Sequence, residues 1–293
     1  MNMNSWIWAA AYIVLAPFIG GLFDGIDRKI SAHMQGRVGP SVFQPFYDIN
    51  KLMQKETKTV NKLQQFMVCG FFVFVVFTGA LFFWGGDLLL VFFALTLAGI
   101  FYVMAASSAN APYSSEASQR ELMQMMAYEP MVLLTAIGFY IATGSFAVRD
   151  IASHRYSSII VLPGFFLGFL FILTIKLRKS PFDVSTGHHA HQEIVQGLNT
   201  DLSGTMLALV EISHWYENVF LFGVIALFIL NKNPLSYLLA AVVCFLAYFL
   251  EILIDNVFPR VKWQLMFKSA WAATAVTGVV NLLIVCIIRS LIK

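Results

Sequence analysis

The sequence predicts an all-α, polytopic membrane protein of about eight transmembrane helices, with an interfacial amphipathic helix in its first long loop. Three observations carry that prediction. Of 293 residues, 59% are hydrophobic and only 12% charged, with a mean hydropathy of +0.74. Soluble domains run about 45–50% apolar and about 25% charged, so a soluble fold of this size would leave much apolar surface bare. The apolar residues also gather in runs long enough to cross about 30 Å of hydrocarbon as helices, and the basic residues gather in alternate loops. The formal charge of +3 says little by itself, and no nucleic-acid partner is expected.

In order, the spans are expected at roughly 6–23, 66–84, 88–107, 122–144, 158–177, 205–230, 237–254 and 269–289, within a single transmembrane domain. Trp84-Gly85-Gly86-Asp87 and Asn231-Lys232-Asn233-Pro234 read as tight connections between neighbouring spans. The first run follows no basic leader with a small-residue cleavage site and reads as retained. No internal repeat is visible, which counts against a transporter built from two inverted halves.

With the N-terminus outside, the loops 24–65, 108–121, 178–204 and 255–268, with Lys176, hold 14 of the 19 lysines and arginines. By the positive-inside rule both termini are expected outside and these loops in the cytoplasm. Arg149, Arg155, Lys232, Arg289 and Lys293 are the minority on the other side. Within the first loop, PFYDINKLMQKE (45–56) puts Phe46, Ile49 and Met53 on one helical face, with Asp48, Lys51 and Lys55 elsewhere. That pattern suits a helix lying on the membrane, and equally one that packs against a soluble partner.

Ionisable residues inside the spans mark candidate sites, because a central carboxylate costs about 2.5–3.5 kcal/mol on insertion scales. Glu129, followed by Pro130, stands inside the fourth span. In the sixth, LALVEISHWYENVFLF spaces Glu211, His214 and Asn218 along one face, with Glu217 a turn from His214. A histidine beside carboxylates can exchange protons; a polar seam between helices is the plainer alternative. Glu116, Arg120 and Glu121 fall at a helix start and Glu251, Asp255 and Lys268 near span ends, where electrostatics and snorkelling account for most of them. Cys69, Cys244 and Cys286 are scattered, so no cysteine-held zinc or iron–sulfur site is expected in this chain. His188, His189 and His191, near Glu193 and Asp201, lack standard zinc spacing. They read as a metal site, a solvated loop or a contact loop, with the last favoured.

Three stretches carry a family resemblance. DRKISAHMQGRVGPSVFQPFYDINKLMQKET (27–57) resembles the first long loop of the complex I membrane subunit that forms the quinone chamber, through Arg28, Lys29, Arg37, Gly39, Pro40, Gln44, Pro45, Asp48, Lys51, Leu52, Lys55 and Glu56. RELMQMMAYEPMVLLTAIGFYIATGSF (120–146) matches at Glu129 and Gly144-Ser145-Phe146, and SPFDVSTG…QEIVQGLNTD at Pro181, Phe182, Asp183, Glu193 and Gly197. Two departures point to one branch. The connection Ser41-Val42-Phe43 is shorter than in quinone-using members, and the segment 184–192, acid-rich in those members, has no acid here. Together with GHHAHQEIVQGLNTDLSG…LALVEISHWYE, this resembles the membrane subunit of energy-converting (Ech-type, group 4) [NiFe]-hydrogenases.

The resemblance implies a non-catalytic anchor and coupling subunit in a prokaryotic cytoplasmic membrane. The soluble arm of such a complex passes electrons from reduced ferredoxin to a hydrogen-evolving centre, and H⁺ or Na⁺ movement is coupled to that transfer. It implies no cofactor in this chain, with the NiFe centre and iron–sulfur clusters on partners. Those partners would be hydrogenase large and small subunits, a ferredoxin-like iron–sulfur subunit and an antiporter-like membrane subunit. Glu129, Glu193, Asp201, Glu211, His214 and Glu217 are expected to form an ion or proton path. Arg28, Arg37, Asp48, Lys51, Lys55, Asp183, His188, His189 and His191 are expected at the partner interface. A quinone-binding complex I subunit, or a member of a related formate- or sulfur-linked complex, is the alternative.

Overall fold

A computed structural model describes residues 3–58, 61–109, 111–187 and 192–292. His188, His189 and His191 therefore lie outside the described residues. Eleven α-helices follow one another among the described residues, and seven continuous helical segments are long and apolar enough to cross a membrane.

The first helix, α1 (Met3–Met34), is apolar until Asp24, Asp27 and Arg28 near its end. The chain then folds back, because Gly25 lacks a side chain: a Cβ there would sit 1.9 Å from the Val42 carbonyl. Helix α2 (Gln44–Gln54) starts with Pro45, whose fixed φ and missing N–H suit a first turn. Asn61 caps α3 (Lys62–Trp84), accepting from the Gln64 N–H at 2.7 Å. Gly85, at φ +89°, ends α3, and Asp87 immediately caps α4 (Leu88–Ser107). Helix α5 (Pro112–Thr143) contains Pro130 and stops at Gly144; the short α6 (Val148–Ala152) follows. Then come α7 (Pro163–Lys176), α8 (Gly204–Ile229) and α9 (Leu235–Val257). The last span joins α10 (Trp263–Ala273) to α11 (Val280–Ile292) through a π-turn at Thr274–Val279.

Helix α8 is the axis of the bundle, packed by α1, α2, α3, α7 and α9. Two apolar clusters flank it. One is built on Phe92, Phe139, Phe165, Phe169 and Phe228, the other on Phe71, Tyr102 and Tyr216. Trp6 lies against Trp84 with ring centres 5.3 Å apart, and Arg289 donates to the Ile141 carbonyl at 3.2 Å. Both ends of the chain thus sit at the end where α3 and α5 finish, here called the terminal end; the long loops lie at the opposite, loop end.

Three helices depart from the expected spans. Helices α1 and α5 run about ten residues further at the loop end than hydropathy alone places them, because the charged residues of those turns find partners inside the protein. Helix α7 is shorter: its 14 residues cover about 21 Å, less than the hydrocarbon thickness. The chain leaves α7 inside the bundle, and residues 180–187 are all buried. Irregular backbone is tolerated at such depth only when protein surrounds it. Here backbone bonds tie it to the start of α10: the Asp183 N–H donates to the Val261 carbonyl at 3.1 Å and the Val261 N–H to the Pro181 carbonyl at 2.6 Å.

Candidate functional site

The short α7 determines the site. Lys176, Arg178 and Lys179 emerge together from its end and radiate in three directions. Lys176, 11% exposed, meets Glu217 of α8 at 3.0 Å; Glu217 is 9% exposed and also lies 3.5 Å from His214 Nδ1. The Lys176 ammonium sits 4.4 Å from the Tyr128 ring centre. Glu217 is thirteen residues into α8, which at the helical rise is about 20 Å from that helix's start.

Lys179 turns towards α1 and α9. It hydrogen-bonds Asp27 and lies 3.6 Å from Asp255, which also accepts the Ser180 N–H at 2.8 Å. Burial alone would lower the Lys179 pKa, but Asp27 and then Asp255 outweigh it and hold the ammonium above the ordinary lysine value. The stabilisation is therefore complete below about pH 10.4 and lost only as pH rises through the raised value. Arg178 takes the remaining direction, over the Tyr102 ring at 5.2 Å, while the Tyr102 hydroxyl donates to Asn199 at 2.6 Å. Burial opposes its charge, yet Tyr102, Glu121 and Glu217 together keep the guanidinium pKa above the ordinary value. Arg178 holds φ at +57°, a conformation unusual for a residue with a side chain; the turn that aims three cations apart carries this strain.

At the loop end the line continues to the surface. Arg28 bridges Asp24 at 3.0 Å and Asp48 of α2 at 2.7 Å, and Glu211 lies within electrostatic reach of Asp24, Arg178, Arg28 and Asp48. Being half-exposed, the Arg28 pairs contribute at most about 1 kcal/mol each; what they do is fasten α2 to α1. A second cluster lies beside the first. Arg120, 8% exposed, is 3.6 Å from Asp183, which is fully buried, and 3.1 Å from Glu193. Arg260 reaches Asp183 at 2.8 Å and Glu193 at 3.1 Å. The Ser185 hydroxyl donates to Glu121 and that of Ser114 to Asp201.

Of the expected path residues, Glu211, His214 and Glu217 fall within this network. Glu193 and Asp201 hold the buried loop to α5. Glu129 stands apart: one carboxylate oxygen is buried without a hydrogen-bond partner, and no described ion pair joins it to the others. Of the expected interface residues, Arg28, Arg37, Lys51 and Lys55 are exposed and Asp48 half-exposed, whereas Asp183 faces inward between two arginines. Sequence reasoning missed Asp24, Asp27, Arg178 and Lys179 as members of the line and took Lys176 only as loop charge. The signal was KLRKS (176–180), three cations at the end of an apolar run. Among the described residues no group of three or more His, Cys, Asp or Glu side chains is placed to hold a metal ion.

The fold and site together define a polytopic helical membrane protein whose interior holds ionisable side chains paired across helices. Residues 7–286 match the family described as NADH dehydrogenase, and the chain belongs to that family. Its relatives include hydrogenase-4 component C of Escherichia coli, 26% identical over 90% of this chain and 91% of that protein. They also include an NADH-quinone oxidoreductase subunit of Anoxybacillus flavithermus, 28% identical over 90% of this chain and 88% of that one. The fold is shared with a chain in the structure of the membrane-bound sulfane sulfur reductase, an archaeal respiratory membrane complex. The TM-score is 0.84 and the identity 23%, covering 97% of this chain and all of the other. The resemblance read from the sequence is borne out, and the chain is a membrane subunit of the complex I-like kind.

Proposed function

We propose that this chain anchors the soluble arm of a ferredoxin-dependent, ion-translocating [NiFe]-hydrogenase complex in a prokaryotic cytoplasmic membrane and couples its electron transfer to H⁺ or Na⁺ movement. The observation that carries this reading is a series of ion pairs stepping inward from the loop end: Arg28 with Asp24 and Asp48, Lys179 with Asp27 and Asp255, and Lys176 with Glu217 beside His214. Buried ionisable groups in a membrane protein are costly, and a line of them is the structure an ion pathway requires. Arg28 and Lys179 are each shared between two acids, so displacing one of those acids changes the charge balance of the other. His214, with Nδ1 3.5 Å from Glu217, places a side chain that can accept and release protons at the deep end. The soluble arm, with its NiFe centre and iron–sulfur clusters, would sit on the loop end, which faces the cytoplasm in this reading with both termini outside; the antiporter-like subunit would lie alongside in the membrane. In inverted vesicles holding the assembled complex, Glu211→Gln is expected to lower ion uptake per hydrogen formed about tenfold. Unchanged uptake at normal assembly would remove Glu211 from the path.

Docking is tested separately. Arg37, Lys51 and Lys55 are exposed at the loop end, the position of a charged rim around a partner. Arg37→Glu with Lys51→Glu is expected to weaken retention of the soluble subunits during purification at least tenfold at low salt, the difference from the parent shrinking as salt screens the charges. Full stoichiometry after a low-salt wash would place the arm elsewhere. A quinone-binding role is the second reading, and kinship with an NADH-quinone oxidoreductase subunit favours it; stoichiometric quinone in the purified complex would put it first.

A further inference from the structure

Away from the charged line, at the terminal end, a furrow of about 700 Å³ opens between the start of α1, the end of α3, α6 and the α8–α9 seam. Its floor is apolar because the seam is built from small residues, Gly223 and Ala226 on α8 with Ala240 and Ala241 on α9. Gly223 cannot grow: a Cβ there would sit 2.9 Å from the Phe82 ring. Two cations stand in its wall, Arg149 and Lys232, both exposed. Neither is in an ion pair among the described residues. Trp8, Trp84 and Tyr237 line the same furrow with much of their surface open, as aromatic side chains do at headgroup level.

We infer that this furrow binds one phospholipid with an anionic headgroup, its acyl chain over the small-residue seam and its phosphate between Arg149 and Lys232. A lipid satisfies both halves of the furrow, since apolar burial holds the tail and paired cations hold the phosphate. A helix from a neighbouring subunit would cover the floor but leave two cations unpaired at the membrane boundary. The assignment also gives a role to two of the basic residues that run against the positive-inside bias.

The test uses the assembled complex reconstituted in mixed phosphatidylcholine and phosphatidylglycerol vesicles, with retained lipid counted by native mass spectrometry after extraction in mild detergent. Arg149→Gln with Lys232→Gln is expected to cut phosphatidylglycerol retention about tenfold or more and leave phosphatidylcholine retention unchanged. Ala241→Phe, which fills the floor and keeps both cations, should reduce retention as well; both variants must assemble at normal yield to be scored. Equal phosphatidylglycerol retention in the double variant would overturn the proposal. So would its displacement by excess inorganic phosphate, or crosslinking of a photoreactive group at position 241 to another subunit instead of lipid.

Discussion

Replacing Lys176 with methionine is expected to abolish ion-coupled turnover and to destabilise the subunit. Glu217 would then be left 9% exposed with His214 as its one described ion-pair partner. Removing one member of a buried pair costs about 3–5 kcal/mol, whereas replacing both with well-packed apolar side chains is often neutral or stabilising. Lys176→Met with Glu217→Leu should therefore recover assembly and thermal stability but not ion movement. This separates holding the bundle together from carrying ions through it. The measurement is ion uptake in inverted vesicles alongside the thermal midpoint of the detergent-extracted complex. If the double variant regained coupled uptake, the pair would be structural only and the proposed line would end at Lys179.

The second large effect is expected at Asp183. Its carboxylate is fully buried, takes Arg260 at 2.8 Å and Arg120 at 3.6 Å, and accepts the Glu193 N–H at 3.1 Å. Asp183→Ala would leave Arg120, itself 8% exposed, balanced by Glu193 alone across a broken contact. A loss of about 3–5 kcal/mol follows for a buried charge stripped of a partner, enough to unfold a marginal subunit. Asp183→Asn keeps an acceptor for the Glu193 N–H and should fall between. Expression of the tagged subunit and its thermal midpoint in detergent read this directly. A midpoint for Asp183→Ala within experimental error of the parent would show that the two arginines do not depend on Asp183.

These two sites also show how far one dimension reached. Glu217, His214 and Glu211 were legible because a helix converts their spacing into a shared face, and an acid in an apolar run is conspicuous. Lys51 and Lys55 were legible as surface charge because the 45–56 segment has helical periodicity. Lys176, Arg178 and Lys179 were not, because positive charges after an apolar run look the same whether water or protein surrounds them. Asp183 was singled out through the family resemblance, but its pairing with Arg120 and Arg260 was not legible, because those partners come from distant segments. Here the loop begins inside the bundle, where α7 stops short.

By itself, the sequence determined the all-helical membrane-spanning class, the positions of most spans, the family and the helix face that carries Glu211 and His214. Hydropathy, periodicity and motif order are properties of neighbouring residues, and they survive without coordinates. Only the tertiary structure decided which charges are paired, that α7 ends within the bundle, and that Arg149 and Lys232 share one furrow. Each of those depends on groups far apart in the chain, such as Lys179 with Asp27 or Arg260 with Asp183. Whether a buried charge is tolerable is set by the partner that packing brings to it.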